Sequence, residues 1–175
     1  MLTHIIISIN LTIFILMVIV GGSSSLTNPP TSLLLLFGGS SNLHVFDGGE
    51  IWRLLTSNYI HIGFFHLFCN MWCLYFIGAA LEHFVGSFFF LLIYTISGIL
   101  GSLASCLYYP NSTSAGASGA IFGIAGALLI TVLYIKIKHR KDKFNFNYFP
   151  IIFFIGFNII YGLNIAEIDN ASHIG

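Results

Sequence analysis

Residues 83–135 read HFVGSFFFLLIYTISGILGSLASCLYYPNSTSAGASGAIFGIAGALLITVLYI and contain no Asp, Glu, Lys or Arg. This stretch is long enough for two bilayer crossings, because a membrane helix needs about 20 apolar residues at 1.5 Å rise each. Near its middle, PNSTSAG at 110–116 has the composition of a turn. We therefore predict two consecutive membrane helices, at about 87–109 and 118–136.

The rest of the chain has the same character. Of its 175 residues, 57% are apolar and only 7% are charged, and the mean hydropathy is +0.92. A soluble domain has about a quarter of its residues charged, so the expected solvent of this chain is the lipid bilayer. The net charge of zero argues against a nucleic-acid partner. The three cysteines match no metal or redox spacing, and we expect neither a metal nor a cofactor.

Further apolar segments at 5–22, 62–82 and 147–166 have the length and pattern of membrane helices, and a sixth begins near residue 170. No Lys or Arg precedes 5–22 and no A-x-A site follows it, so we predict a retained helix rather than a signal peptide. The predicted fold is all-α: one domain over 1–175, a polytopic bundle of six helices with the sixth truncated.

The loops predict how the chain is oriented. Five of the six Lys and Arg residues lie in one loop, 136–146, which the positive-inside rule places in the cytoplasm together with the amino terminus. Loops 23–61 and 110–117 then lie outside. We expect 23–61 to be an interfacial loop with short helices, because it stays apolar and contains the headgroup-zone residues Trp52 and Arg53. The membrane we expect is the bacterial inner or plasma membrane.

A candidate nucleophile stands where the external loop enters the fourth segment, in Gly116-Ala117-Ser118-Gly119. The short motif G-x-S-G often arises by chance, and Ser is also a good helix N-cap, so a structural role stays open. A helix N-terminus, however, presents unpaired N–H groups and a positive dipole end that can stabilise an oxyanion beside Ser118. Gly119 and Gly123 form a small-xxx-small face that lets another helix, expected to be the sixth, approach closely.

Histidines at a similar membrane depth supply the remaining candidates. His173 lies in DNASHIG, one turn into the sixth segment, where it could act as base or simply form a hydrogen bond between helices. His66 and Asn70 are one helical turn apart on one face of the second segment and could donate hydrogen bonds to an oxyanion. His61 could support them or lie at the interface, and a structural role is favoured.

Three separated strings, WRLLTSNYIHIGFFHLFCNMWCLYFIGAALE from residue 52, GASGAIFG from residue 116 and DNASHIG at the end, occur in the order found in the rhomboid family of intramembrane serine proteases. The chain resembles that family from Trp52 to its last residue. The resemblance implies that Ser118 is the nucleophile and His173 the general base. It also implies that His66 and Asn70, supported by Gly116 and Gly119, stabilise the oxyanion.

The same resemblance assigns supporting positions. Trp52 and Arg53 correspond to the family's first-loop pair, Glu82 to the acidic residue that closes the second helix, and His61 to a first-loop histidine. Phe122 corresponds to an aromatic residue that packs against the catalytic histidine in relatives. The sequence departs from the family pattern by stopping two residues after His173. We therefore expect this chain to be inactive and the natural product to continue by at least ~15 apolar residues.

The expected reaction is cleavage of membrane proteins near the outer end of a transmembrane segment, through a Ser–His dyad and an acyl-enzyme. Substrate helices should contain helix-destabilising residues, because an intact helix hides its carbonyls in hydrogen bonds. A transporter is the competing class, but paired intramembrane charges in two related halves are not visible. A non-catalytic relative that binds membrane helices remains open. A metal enzyme built on His61, His66 and His173 lacks a carboxylate or cysteine at a zinc-site spacing.

Overall fold

The structure, a computed structural model, describes residues 1–139, 146, 148–149 and 151–156. Its α-helices are α1 (Leu2–Gly21), α2 (Thr31–Phe37), α3 (Arg53–Thr56), α4 (Phe64–Val85), α5 (Ser87–Tyr108) and α6 (Ser118–His139). Residues 151–156 are also helical. Two 3₁₀ turns span Ser23–Leu26 and Ser57–Tyr59, and π-helical turns span Leu43–Asp47 and, within α4, Leu74–Gly78. The strands β1 (Ser40–Ser41) and β2 (Thr113–Ser114) form one small antiparallel pair.

In this part of the chain, four helices are long and apolar enough to cross a membrane: α1, α4, α5 and residues Ser118–Lys138 of α6. They match the predicted segments 5–22, 62–82, 87–109 and 118–136, which confirms the helical membrane bundle. The predicted fifth segment, 147–166, is described at 148–149 and 151–156 only. The sixth, with His173, lies outside the described residues.

The helices are apolar on both their inner and outer faces. Their inner faces meet in a core that includes Leu67, Leu74, Phe90, Ile121, Ile124 and Leu128. Their outer faces expose large apolar side chains such as Ile19, Phe88 and Ile137, each at least 70% exposed. An apolar outer surface of this extent is typical of contact with lipid, because soluble monomers rarely expose large continuous apolar patches.

Two expectations about α6 were wrong in detail. The helix continues through His139, so the first residues of the predicted loop 136–146 are helical. Lysine favours helix, and a cation near a helix C-terminus is stabilised by the dipole, so Lys136 and Lys138 extend α6 rather than end it. The side of α6 at Gly123 was expected to receive the sixth helix, but it packs against α5. A methyl group on Gly123 would collide with the Oγ and Cβ atoms of Ser97.

The carboxylate of Glu82 joins three helices at the end of the bundle opposite the β-pair. It accepts hydrogen bonds from the amides of Leu2 and Thr3 (2.7 and 2.9 Å), and from the Thr3 and Ser87 hydroxyls (2.7 and 2.6 Å). Leu2 and Thr3 begin α1, and Ser87 begins α5. The negative carboxylate of Glu82 therefore caps the N-terminus of α1, which is the positive end of the helix dipole. This arrangement gives a physical reason for an acidic residue near the end of α4.

The long loop between α1 and α4 is held together by Arg53. Its guanidinium donates to the carbonyls of Leu35 and Gly39 (2.6 and 3.0 Å), pairs with Glu50, and lies 4.5 Å from the Trp52 ring centre. These contacts join α3 to the end of α2. Strand β1 of this loop pairs with β2, so loops 23–61 and 110–117 lie at the same end of the bundle.

Candidate active site

Ser118 is the first residue of the 22-residue helix α6 and is 9% exposed. The Ala117 carbonyl already accepts the first helical hydrogen bond, from the Ile121 amide (3.0 Å). The first N–H groups of a helix have no partner within it, and the dipole makes this end positive. The backbone at Ser118 therefore offers a favourable position for a negatively charged oxygen.

Gly116 brings the loop before α6 against α4. Its φ of +143° lies in a region that residues with side chains rarely adopt. A methyl group built on Gly116 would lie 2.7 Å from Cε1 and 3.1 Å from Nε2 of His66, and 3.8 Å from Oγ of Ser118. The loop backbone, the edge of the His66 ring and the Ser118 hydroxyl therefore meet in one small volume.

The hydrogen bonding of His66 indicates which ring nitrogen carries the proton. The amide of Ile62 donates a long hydrogen bond (3.4 Å) to Nδ1 of His66, which favours the neutral tautomer that carries its hydrogen on Nε2. Nε2 belongs to the ring edge that faces Gly116. This tautomer makes His66 a hydrogen-bond donor on the side of Ser118.

Asn70 lies one turn further along α4 and is buried. Its side-chain amide donates to the backbone carbonyl of His66 (3.0 Å), which leaves one N–H for another acceptor. The structure thus places Asn70 on the helical face of His66, as its spacing predicted. Its role as an oxyanion donor stays a prediction.

His61 is completely buried, and its ring centre lies 5.2 Å from that of His66. Burial lowers the pKa of His61 well below its usual value, and the neighbouring His66 lowers that pKa further, while the Tyr59 backbone acts in the opposite direction. His61 is therefore neutral near pH 7 and packs beside His66. Its role, for which the sequence favoured a structural one, stays a prediction.

The other predicted site residues have these placements. Gly119 is buried at the start of α6. The ring of Phe122 packs against that of Phe154 at a tilt of 45°, with ring centres 4.9 Å apart. Because His173 lies outside the described residues, its contact with Ser118 and with Phe122 stays a prediction. Within the described ranges, no group of three His, Cys, Asp or Glu side chains is placed to hold a metal ion.

The sequence reasoning missed the residues that hold the loop before Ser118 in place. The carbonyl of Ser57 accepts the Gly116 N–H (2.9 Å), and the Ser57 hydroxyl is hydrogen-bonded to that of Ser102 on α5 (2.9 Å). Asn58 packs on Gly98 of the same helix. A signal was present, because Gly98 and Ser102 form a small-xxx-small pair in an otherwise apolar segment.

Comparison with known proteins gives a consistent result. The family model described as Rhomboid domain matches residues 48–175. Rhomboid protease GluP of Bacillus subtilis is 46% identical over 127 residues, which cover 73% of this chain and 24% of that protein. RHOMBOID-like protein 1 of Arabidopsis thaliana is 40% identical over 126 residues, covering 72% of this chain and 32% of that protein.

A third relative carries a different description. Inactive RHOMBOID-like protein 8 of Arabidopsis thaliana is 38% identical over 131 residues, covering 72% of this chain and 35% of that protein. The chain therefore spans well under half the length of these three relatives.

Proposed function

This chain belongs to the rhomboid family, and on that premise we propose that it is an intramembrane serine endopeptidase with Ser118 as nucleophile and His173 as general base. It is an integral membrane protein, and its family supports intramembrane proteolysis. The observation that carries the proposal is the meeting of Ser118, Gly116 and the Nε2 edge of His66 at the N-terminus of α6.

In the proposed reaction, His173 takes the proton of the Ser118 hydroxyl while Oγ attacks a peptide carbonyl. The carbonyl oxygen becomes an oxyanion, which accepts hydrogen bonds from the Ser118 amide, from Nε2–H of His66 and from Asn70. The intermediate collapses to an acyl-enzyme when the leaving amine takes the proton from His173. Water, activated by the same histidine, then releases the acyl group and restores Ser118.

The end of the bundle that carries the site is proposed to face outward. Loops 23–61 and 110–117 lie at this end, whereas α6 carries Lys136 and Lys138 at the other. The positive-inside rule assigns the lysine end to the cytoplasm. A reporter fused after residue 139 should then read cytoplasmic and one fused at 111 external; the reverse result would place the site on the cytoplasmic side.

The proposed substrates are membrane proteins whose helices are easily opened near the external end. A peptide carbonyl inside a regular helix accepts the i+4 amide and is screened from attack. Gly, Pro or polar residues near the cleaved bond would expose it. The test is a matched pair of model substrates, one with Gly-Gly and one with Leu-Leu near the external end of the membrane helix. The Gly-Gly substrate should be cleaved faster.

A second candidate is a non-catalytic protein that binds membrane helices, and the similarity to Inactive RHOMBOID-like protein 8 favours it. Labelling with a fluorophosphonate probe distinguishes the two candidates. We expect the full-length protein to be labelled, Ser118→Ala to lose labelling, and Ser112→Ala, a change in the exposed part of the same loop, to retain it. His173→Ala should also lose labelling. Labelling that persists in Ser118→Ala would exclude Ser118 as nucleophile, and an unlabelled wild-type protein would favour the non-catalytic candidate.

A further inference from the structure

A group of polar side chains is buried beneath the loop that precedes Ser118. Ser57, Asn58 and Ser102 are only 1%, 3% and 5% exposed. Their hydrogen bonds compensate for burial: the Ser57 and Ser102 hydroxyls are 2.9 Å apart, and the Asn58 amide donates to the Leu54 and Leu55 carbonyls (2.9 and 3.1 Å). A buried polar group left without a partner is costly, so this arrangement resists displacement.

Ser57 connects this group directly to the candidate site. Its hydroxyl bonds to Ser102 on α5, and its carbonyl accepts the Gly116 N–H at 2.9 Å. The Gly116 amide is therefore occupied by Ser57 and is not a donor to the oxyanion. The side of Gly116 from which a Cβ would project faces the site, where that atom would lie 2.7 Å from Cε1 of the His66 ring.

The turn that contains Ser57 is also held from the side of α5. A methyl group on Gly98 would lie 2.5 Å from Oδ1 and 2.8 Å from Cγ of Asn58, so the Asn58 carboxamide already touches the α5 backbone. The turn therefore has no room to move towards α5. On the loop side, the β-pairing ends at Ser114, and the Ser57–Gly116 bond holds the chain again two residues before Ser118.

We propose that Ser57 is a positioning residue, and that its hydroxyl bond to Ser102 orients the carbonyl that fixes Gly116 between His66 and Ser118. This inference rests on the proposed function, because it assigns Ser57 and Ser102 a role in the geometry of that reaction. Ser57 acts through Gly116 and touches no reacting atom. An error of about 1 Å in such a site can reduce catalysis about 100-fold, so the anchor affects the chemical step more than substrate binding.

The test compares Ser102→Ala with Ser105→Ala in the full-length protein. Both serines are buried on α5, three residues apart, but no hydrogen bond of the Ser105 hydroxyl is found within the described part of the chain. Hydrogen exchange of a peptide covering 113–117 includes the Gly116 amide. We expect exchange about 2- to 10-fold faster in Ser102→Ala than in Ser105→Ala, the range that loss of one hydrogen bond gives.

Activity provides the second measurement. In Ser102→Ala we expect kcat and the rate of probe labelling at Ser118 to fall together by about 2- to 10-fold while KM is unchanged. Ser102→Thr, which keeps the hydroxyl, should restore both. Ser57→Ala removes the same bond from the other side and should reproduce the defect if Ser102→Ala does not fold.

The outcomes separate the two proposals. If exchange at 113–117 is the same in Ser102→Ala and Ser105→Ala, or if kcat does not differ between them, the positioning role is wrong. If the wild-type protein is neither labelled nor active, the proposed function is wrong, and the exchange measurement still decides whether the Ser57–Ser102 pair holds the loop.

Discussion

Replacing Gly116 with alanine tests the close approach on which the candidate site depends. The new Cβ would lie 2.7 Å from Cε1 of His66, whereas ordinary van der Waals contact begins at 3.4 Å, so the ring or the loop must move by about 0.7 Å. The backbone adds a second cost. At a φ of +143°, alanine is strained, by about 1–3 kcal/mol.

Both effects act where the proposed mechanism requires Ser118 and His66 to be aligned. A displacement of this size should lower kcat by about 10- to 100-fold with little change in KM, because alignment in the transition state is lost rather than binding of the substrate. Thermal unfolding in detergent should occur at lower temperature, in line with about 1–3 kcal/mol of strain.

Gly126→Ala is the matched control for Gly116→Ala. Gly126 lies inside α6, the helix that follows Gly116, and a methyl group there meets no atom within 4 Å. Alanine favours helix by up to about 1 kcal/mol over glycine, so this variant should be as active as the wild type and at least as stable. A Gly116→Ala protein that retains wild-type kcat would refute the assignment of this contact to the active site.

Three further predictions concern other groups. Asn70→Ala should lower kcat by about 10- to 1000-fold without abolishing cleavage, the usual range for loss of one oxyanion donor, and wild-type kcat would remove Asn70 from that role. Glu82→Gln should destabilise the protein by about 1–3 kcal/mol in thermal unfolding, because a neutral amide cannot accept all the bonds from the start of α1 and from Ser87; Asp47→Asn, an exposed acidic control, should change little. His61 is neutral when folded but takes up a proton near pH 6.5 when unfolded, so the stability present above pH 6.5 should decline as the pH falls below it. His61→Gln should weaken that decline and the exposed His83→Gln should not; equal pH profiles for both variants would contradict the burial argument.

The placement of the membrane helices was available from the sequence because it depends on local composition. A run without charges that is long enough to span the bilayer forms a helix whatever its neighbours are, since only a helix satisfies its own backbone in lipid. Segments 87–109 and 118–136 therefore appear as α5 and α6 with little change at their starts. The i, i+4 spacing likewise placed His66 and Asn70 on one face.

The contacts between segments were decided by the tertiary structure. A glycine such as Gly123 allows any neighbouring helix to approach closely, so the sequence does not say whether α5 or the sixth helix does so. Only the fold shows that Ser97 of α5 lies against Gly123. Glu82 was recognised through a resemblance, but its hydrogen bonds join residues about 80 positions apart in the chain. Periodicity reports the face on which a residue lies and carries no information about the element that covers that face.

The difference is clearest at the loop before Ser118. The sequence by itself determined that a serine begins a membrane helix after a glycine-containing turn, because helix starts and turns depend on neighbouring residues. Only the tertiary structure decided that Gly116 lies against His66 and that Ser57 accepts its amide hydrogen. These contacts need a positive φ at Gly116 and the packing of α5 against the Ser57–Tyr59 turn. Both follow from how distant segments pack together, which a local sequence pattern does not report.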